Sequence, residues 1–299
     1  MKKIFIISFA ALLASAAAFA QDGSESVAMG FCAVPRDIRS ASMGGTSMMD
    51  NVAVRPFEST KLDIQASYAM YAPKSNSSSN IDFSVYGKIA GRLGLKGFFS
   101  YDAGQAYTPV DASGVASKTS YTPSDMLAGA GVSYAIINNK LSAGATFKYM
   151  SSNLAKDARY SAVAFDVLLA GHFGDFKVVA GATSLGGKVT TDGGSYDLPS
   201  AVVVGGDWSR VFGGKHSIDA ALELNYFFKG GLRAGFGAEY GFKDMLFVRA
   251  GYNYGGKTVL PSYASVGIAG KFKGIKLGVS MLLGDTLNGT MQFGLGWMF

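Results

Sequence analysis

Apolar and polar residues alternate with a period of two along most of this chain, and this pattern restricts its fold more than any other feature. In residues 216–228, for example, every second residue from Ile218 to Tyr226 is apolar, and most residues between them are polar. Successive side chains of a β-strand point to opposite faces of the sheet, so the pattern is typical of strands with one apolar face. It predicts a protein built almost entirely of β-strands.

Fourteen segments of this kind follow one another toward the end of the chain. They are residues 62–71, 80–90, 92–102, 126–137, 140–150, 160–171, 174–184, 200–209, 216–228, 231–242, 245–254, 262–272, 274–283 and 289–299. Most have about 9–12 residues, the length of a tilted strand that crosses a bilayer. Every backbone group of such a strand needs a partner, so the strands have to close. The predicted fold class is all-β, an antiparallel transmembrane β-barrel of about 14 strands.

The connections between these segments support the same fold, because short and long ones alternate. The short ones include Asn138-Asn139 and Phe173-Gly174, and the longer ones are residues 72–79, 103–125, 151–159, 185–199 and 255–261. Outer-membrane barrels have short periplasmic turns and longer extracellular loops. An even number of strands then places the C-terminus in the periplasm. Two connections break the pattern, since residues 210–215 are long for a turn and Lys229-Gly230 is short for an outer loop.

A soluble secreted β-sandwich or a lipocalin-like barrel would alternate in the same way, with its apolar face turned inward. Composition favours the membrane barrel, because charged residues make up only 16% of the chain, whereas soluble domains have about 25%. The polar face is rich in Gly and Ser rather than in charge. Aromatic residues recur near segment ends, as in the girdles of membrane barrels. They are Tyr68, Tyr101, Tyr134, Tyr149, Trp208, Tyr226, Tyr240, Tyr252 and Trp297.

Residues 1–20 have the features of a secretory signal peptide. Two lysines precede an apolar run that ends at residue 20, and Ala18-Phe19-Ala20 places small residues where signal peptidase reads them. Cleavage is expected before Gln21, and a retained membrane anchor is the alternative. The expected location is the outer membrane of a Gram-negative cell. The terminal Phe299 resembles the aromatic signal for barrel insertion, so the insertion machinery and outer-membrane lipid are expected partners.

The polar face of the strands is expected to line the lumen. Its candidate charged residues are Lys88, Lys148, Asp166, Asp207, Glu223, Arg233, Glu239, Arg249 and Lys271. Basic and acidic side chains are nearly balanced on this face, which favours ion pairs in a narrow lumen over an ion-selective pore. Glycines on the same face leave room for a further segment inside. The predicted organisation is therefore a plug at residues 21–61 and a barrel at residues 62–299.

A short motif in the plug segment resembles a known family. Residues 37–47 read Asp-Ile-Arg-Ser-Ala-Ser-Met-Gly-Gly-Thr-Ser, similar to the opening motif of PorV/PorQ-type proteins of Bacteroidetes, which belong to the wider FadL-like group of fourteen-stranded barrels. The matching residues are Asp37, Arg39, Met43, Gly44 and Gly45. The Asn-Pro-Ala-type turn that follows in the family is replaced by Arg55-Pro56-Phe57-Glu58, which keeps only Pro56. An ordinary turn before the first strand is the alternative interpretation of the motif.

Nothing in the sequence indicates catalysis or a cofactor. The chain has two histidines and one cysteine, which are too few for a zinc site of the Cys/His type, and no serine-nucleophile motif accompanies either histidine. We therefore expect a non-enzyme with no metal and no cofactor. The formal net charge of +6 is too small to indicate nucleic-acid binding.

Three functions remain open at this point. The resemblance to PorV/PorQ-type proteins implies a barrel that binds or retains secreted cargo or components of the type IX secretion machinery. Residues 103–125 and 185–199 would then form the contact surface. The alternative is a FadL-like channel for the uptake of hydrophobic small molecules, which needs an apolar pocket near the plug. A structural barrel without a transport role is the third possibility.

Overall fold

The computed structural model describes residues 27–47, 50–71, 78–110, 113–191, 193–255, 259–284 and 287–299. In these residues fourteen antiparallel strands form a closed barrel. They are β1 (Leu62–Tyr71), β2 (Ser78–Ile89), β3 (Leu93–Ala103), β4 (Ser124–Ile137), β5 (Leu141–Ala155), β6 (Ala158–Phe173), β7 (Phe176–Gly186), β10 (Ala201–Phe212), β11 (His216–Phe227), β12 (Gly231–Phe242), β13 (Leu246–Tyr254), β14 (Tyr263–Phe272), β15 (Ile275–Leu283) and β16 (Thr290–Met298). A separate hairpin contains β8 (Val189–Thr191) and β9 (Gly194–Tyr196). The predicted fold class is confirmed.

The two ends of the barrel differ in the length of their connections. At one end, which we call the turn end, consecutive strands are joined by two or three residues, as at residues 138–140 between β4 and β5. At the opposite end, the loop end, residues 104–123 and 187–200 form the longest connections. β1 begins and β16 ends at the turn end. The two strands pair with each other along their length and so close the barrel.

Three connections differ from those predicted. β10 runs to Phe212, so residues 213–215 form an ordinary short turn. The predicted outer loop at 151–159 is wrong, because β5 and β6 stay paired as far as Ala155 and Ala158. The predicted loop at 185–199 contains the β8–β9 hairpin. In the β5 extension Ser151-Ser152-Asn153 has no apolar face, so backbone pairing continues where the hydrophobic alternation has ended.

The barrel buries polar side chains inside and exposes apolar ones outside. On β6, Asp166 is 4% exposed, whereas its neighbours Phe165 and Val167 are 51% and 55% exposed. A water-soluble barrel has the reverse arrangement, because burial of apolar surface drives its folding. An outer belt of exposed apolar side chains fits a hydrocarbon environment. The protein is therefore an outer-membrane barrel, and the soluble sandwich or lipocalin-like alternative is wrong.

The lumen is occupied by the described residues that precede β1. We call residues 27–47 and 50–60 the inner segment. It contains a 3-10 turn at Gly30–Ala33, α1 at Ile38–Ser42 and a second 3-10 turn at Arg55–Phe57. Within the described part of the chain, no helix is long and apolar enough to span a membrane.

The inner segment runs through the lumen from one end to the other. At the loop end, the backbone N–H of Ala28 donates a hydrogen bond of 2.9 Å to the carbonyl oxygen of Asp197. At the turn end, the backbone N–H of Lys61 donates to the carbonyl oxygen of Phe299 at 3.0 Å. The inner segment thus lies where the sequence analysis expects a plug, and its blocking role stays a prediction.

Glycines on the inner face of the wall make room for the inner segment. A Cβ atom added at Gly237 would lie 2.6 Å from the Cα atom of Met43, and one added at Gly144 would lie 2.9 Å from that of Ala53. At Gly296, by contrast, the nearest atom is 3.6 Å away. The glycines of the first kind permit close approach of two backbones, as the absence of a side chain allows.

Candidate functional site: the occupied lumen

The motif at residues 37–47 forms a capped helix and a tight turn inside the barrel. The side chain of Asp37 caps α1 by accepting a hydrogen bond of 3.0 Å from the backbone N–H of Ser40. Met43 ends the helix and is fully buried. Gly44 and Gly45 then take φ values of 66° and 74°, the left-handed region that glycine adopts without strain. The interpretation of the motif as a plain turn ahead of β1 is therefore wrong.

Arg39 joins α1 to three neighbouring strands of the wall. Its guanidinium group lies 3.6 Å from a carboxylate oxygen of Asp207 on β10, 3.9 Å from Asp219 on β11 and 3.6 Å from Glu239 on β12. Glu239 also pairs with Arg249 of β13. Because α1 itself packs against β13 to β16, this one side chain extends the contacts of the helix to the next three strands of the wall.

Arg55 organises a second group of charges near the turn end. Its guanidinium group lies 2.8 Å from Glu58, 3.6 Å from Asp50 and 3.6 Å from Asp63 of β1. The ammonium group of Lys88 donates hydrogen bonds of 2.8 Å to the carbonyl oxygens of Pro56 and Glu58. These contacts fix the second 3-10 turn to β1 and β2.

Two further arginines bind backbone carbonyl groups of the inner segment. Arg233 of β12 donates a hydrogen bond of 2.6 Å to the carbonyl oxygen of Gly45 and lies 3.4 Å from Glu223. Arg36 lies 3.1 Å from Asp102 of β3 and donates a hydrogen bond of 3.0 Å to the carbonyl oxygen of Phe31. These bonds satisfy polar groups that the lumen removes from water.

The wall is irregular between β6 and β7. The pairing shifts between Phe165 and Val167, and Ser184 takes a left-handed φ of 53° in the resulting bulge. Asp166 accepts a hydrogen bond of 2.7 Å from the backbone N–H of Ser184 and lies 2.8 Å from the ammonium group of Lys148. This buried ion pair therefore supports the bulge from inside the lumen.

Apolar side chains line the lumen close to the loop end. The loop-side cluster, as we call it, consists of Met29, Leu127, Met150, Ala164, Val189 and Leu198. Phe31, Cys32 and Phe98 pack against it. Its members come from the inner segment, from β4 to β6 and from the connection that carries β8. It is one of three apolar clusters among the described residues inside the barrel, beside the charged groups described above.

Cavities lie beside the inner segment. One, of about 480 Å³, lies toward the turn end and is lined by charged side chains that include Arg39, Lys177 and Asp207. Another, of about 220 Å³, is lined by Leu127 of the loop-side cluster, by Phe98 and by charged side chains such as Arg36, Lys148 and Asp166. Its lining therefore mixes apolar and charged side chains.

The lumen shifts the pKa values of acidic groups in the inner segment. Burial, together with the nearby charge of Asp50, raises the pKa of Asp37 to about 6. Burial also acts to raise the pKa of Asp50, but the guanidinium groups of Arg55 and Arg39 hold it below its usual value. Burial raises the pKa of the Cys32 thiol to about 12, which makes this thiol a poor nucleophile at neutral pH.

The charged residues predicted for the lumen lie on the inner face, and most are paired. Glu239 pairs with Arg249, Glu223 with Arg233, Asp166 with Lys148 and Asp207 with Arg39. Lys271 differs, because it lies at the rim of the turn end and pairs at 2.6 Å with Asp244 of the turn.

Sequence reasoning did not identify Arg36, Asp50 and Arg55 as members of these pairs. No alternation applies to the irregular inner segment, so nothing in the sequence assigned them a face. The predicted signal peptide lies outside the described residues. Among the described residues, no group of three or more His, Cys, Asp or Glu side chains is arranged to hold a metal ion.

The fold is similar to that of proteins described as toluene transporters and a monoaromatic hydrocarbon channel. The crystal structure of the toluene transporter TbuX of Ralstonia pickettii aligns with a TM-score of 0.62 and 13% identity, over 90% of this chain and 99% of that one. The toluene transporter TodX of P. putida gives 0.60 and 13%, over 88% and 98% of the two chains. The monoaromatic hydrocarbon channel CymD gives 0.58 and 12%, over 88% and 97%.

At such low identity the similarity concerns the fold alone. The sequence matches no protein-family model and no curated protein. The names of these structures describe transporters and channels rather than enzymes. None of the three refers to secretion, so the likeness to PorV/PorQ-type proteins stays a prediction from the motif.

Proposed function

We propose that this protein is an outer-membrane channel for the uptake of small hydrophobic molecules. The observation that carries the proposal is the loop-side cluster, which forms an apolar surface inside the lumen. Leu127 of this cluster, with the adjoining Phe98 and Cys32, also lines the smaller cavity. Ligand sites for apolar molecules are typically lined by hydrophobic and aromatic side chains with a few polar groups.

The size of the adjoining cavity agrees with this substrate class. Its volume is about 220 Å³, and an apolar cavity of about 150 Å³ binds benzene in another protein. Leu127 and Phe98 supply apolar lining from the wall of the barrel, and Cys32 adds apolar lining from the inner segment. A monoaromatic or short aliphatic molecule would fit against these side chains without displacing the wall.

The similar structures support the same class of substrate. TbuX and TodX are named as toluene transporters and CymD as a monoaromatic hydrocarbon channel. The present chain shares their barrel architecture over nearly its full described length. We infer that substrate enters at the loop end, contacts the loop-side cluster and passes the inner segment toward the turn end. The short turns and the C-terminus would then face the periplasm.

Uptake of radiolabelled toluene by cells tests the proposal. The protein is produced in the outer membrane of a host without a hydrocarbon transporter, and initial uptake is compared with that of a polar sugar. We expect faster toluene uptake with unchanged sugar uptake. Leu127→Gln should return the rate of toluene uptake toward the host background, because a polar group then replaces part of the apolar lining of the cavity.

Leu282→Gln is the matched control for this substitution. Leu282 is equally buried on the inner face of β15, but it belongs to a different apolar cluster with Ala41 and Tyr263 and lines neither cavity. It should leave toluene uptake unchanged if the protein folds. Equal toluene uptake by cells with and without the wild-type protein would contradict the proposal.

Retention of secreted proteins is the other function that the sequence predicts. The described parts of residues 104–123 are largely exposed at the loop end, as a contact surface requires. Purification of the tagged protein from gently solubilised outer membranes, with mass spectrometry of proteins and lipids together, separates the two functions. Secretion components or cargo in the eluate would favour retention. Hydrophobic molecules without a protein partner would favour the channel.

A further inference from the structure

Basic residues recur in the turns around one end of the barrel. Six turns join strands at the turn end, and five of them contain a lysine or an arginine. These residues are Arg92, Lys140, Lys215, Lys243 and Lys273, and all are exposed. The sixth turn contains Asp175, which lies 3.9 Å from Arg210 of the adjoining strand β10. Positive charge is therefore present around nearly the whole circumference.

Aromatic side chains lie next to two of these charges on the outer surface. The ammonium group of Lys243 lies 5.3 Å from the ring of Phe242, and that of Lys273 lies 5.4 Å from the ring of Phe272. Phe242 and Phe272 lie on the lipid-facing register of β12 and β14. The two lysines thus lie beside the lipid-facing surface rather than over the mouth of the lumen.

Local backbone preference does not explain these lysines. Lys243 and Lys273 have φ values of 53° and 48°, in the left-handed region that favours Gly or Asn in such turns. The ion pairs between described residues do not include either lysine, nor Arg92, Lys140 or Lys215. Their positive charge is therefore available to an anion outside the chain.

We propose that this ring binds the phosphate groups of anionic glycerophospholipids in the leaflet that surrounds the turn end. The short turns keep each charge next to the outer apolar belt, at the depth of lipid headgroups. The exposed basic residues of the loop end differ in this respect. Lys118, Lys156 and Lys188 lie in longer loops or at the tip of an extended hairpin, away from the barrel rim.

Native mass spectrometry of the purified protein tests the lipid site. The full-length protein in detergent is mixed with phosphatidylglycerol or phosphatidylcholine of the same acyl chains, and bound lipids are counted. We expect preferential binding of phosphatidylglycerol that falls with added salt. The K215Q/K243Q/K273Q variant should bind it about fivefold more weakly for each charge removed.

Two further variants separate this role from general effects. K118Q/K156Q/K188Q removes the same number of charges from the loop end and should bind phosphatidylglycerol as the wild type does. K215R/K243R/K273R keeps the charge and should also retain binding, which assigns a loss in the glutamine variant to charge, and the heat-modifiable mobility of each variant in electrophoresis checks that it is folded. Equal binding of the two phospholipids by the wild type, equal loss in both glutamine variants, or a preference for lipid A over phosphatidylglycerol would overturn the proposal.

Discussion

Arg39 carries its charge to a point inside the barrel where three neighbouring strands each present a carboxylate. Removal of one partner from a buried charge group leaves the other partners without compensation, at a cost of about 3–5 kcal/mol. The three carboxylates belong to the wall, whereas the arginine belongs to the inner segment. The side chain therefore stabilises the docking of that segment more directly than it stabilises the barrel.

Arg39→Gln should loosen the inner segment while the barrel stays closed. We expect the labelling rate of Cys32 by a maleimide to rise on the order of a hundredfold, because its shielding depends on a docked segment. Cys32 is the only cysteine of the chain, so the label reports on one position. Arg210→Gln, which removes a largely exposed arginine from the outer face, should leave the rate unchanged. Unaltered labelling in the Arg39 variant would contradict this assignment.

Asp37 should make docking of the inner segment dependent on pH. The pKa of its side chain is about 6 in the lumen and 3.8 in a free chain, so the docked state binds the proton more tightly. Its contribution to docking is greatest below the free-chain value and is lost as the pH rises through about 6. The pKa of Asp50 is lowered, so titration of Asp50 affects docking only at more acidic pH.

Amide hydrogen exchange of α1 measures this effect. After correction for the intrinsic rate, protection should be greater at about pH 5 than at about pH 7.5. Asp37→Asn keeps a capping side chain but does not titrate, so its protection should be the same at both pH values. A pH-dependent difference of equal size in the variant would assign the effect to another group.

At the scale of elements, glycines on the wall strands are complementary to the backbone of the inner segment. Gly237→Ala would place a Cβ atom too close to the Cα atom of Met43. A backbone atom cannot move away by a change of rotamer. We expect displacement of α1 and faster labelling of Cys32. Gly296→Ala adds the same methyl group to the inner face of β16 where space exists, and should have no effect. Equal effects of the two substitutions would refute the steric explanation.

The strands were predictable from sequence, and the inner segment was predictable only in outline. Alternation identified every barrel strand because a lipid-facing residue and a lumen-facing residue need opposite polarity. It failed where both faces carry polar side chains, as at Ser151-Ser152-Asn153. The inward glycines indicated that something fills the lumen, but the partners of Arg39 and Arg55 depend on how an irregular chain folds in three dimensions.

At the scale of the whole molecule, closure depends on the pairing of β1 with β16. Phe299 lies just beyond this seam, with its backbone bound to Lys61 and Leu62 and its ring exposed on the lipid face. Deletion of Phe299 should reduce the fraction of protein that reaches the folded, heat-modifiable form in the outer membrane. Electrophoretic mobility before and after heating measures that fraction. Phe272→Ser, which removes another exposed aromatic residue of the turn end, is the control.

The passage of the inner segment through the lumen has a consequence for how tightly it has to bind. Because it is covalently joined to β1, its local concentration at its own site is in the millimolar range, as for other short tethers. An intrinsic dissociation constant of only about 1 μM would then keep it docked roughly 99.9% of the time. A solute competing for the same surface faces a resident competitor at that concentration. Modest intrinsic affinity is therefore enough to keep the barrel filled and still permits rapid release.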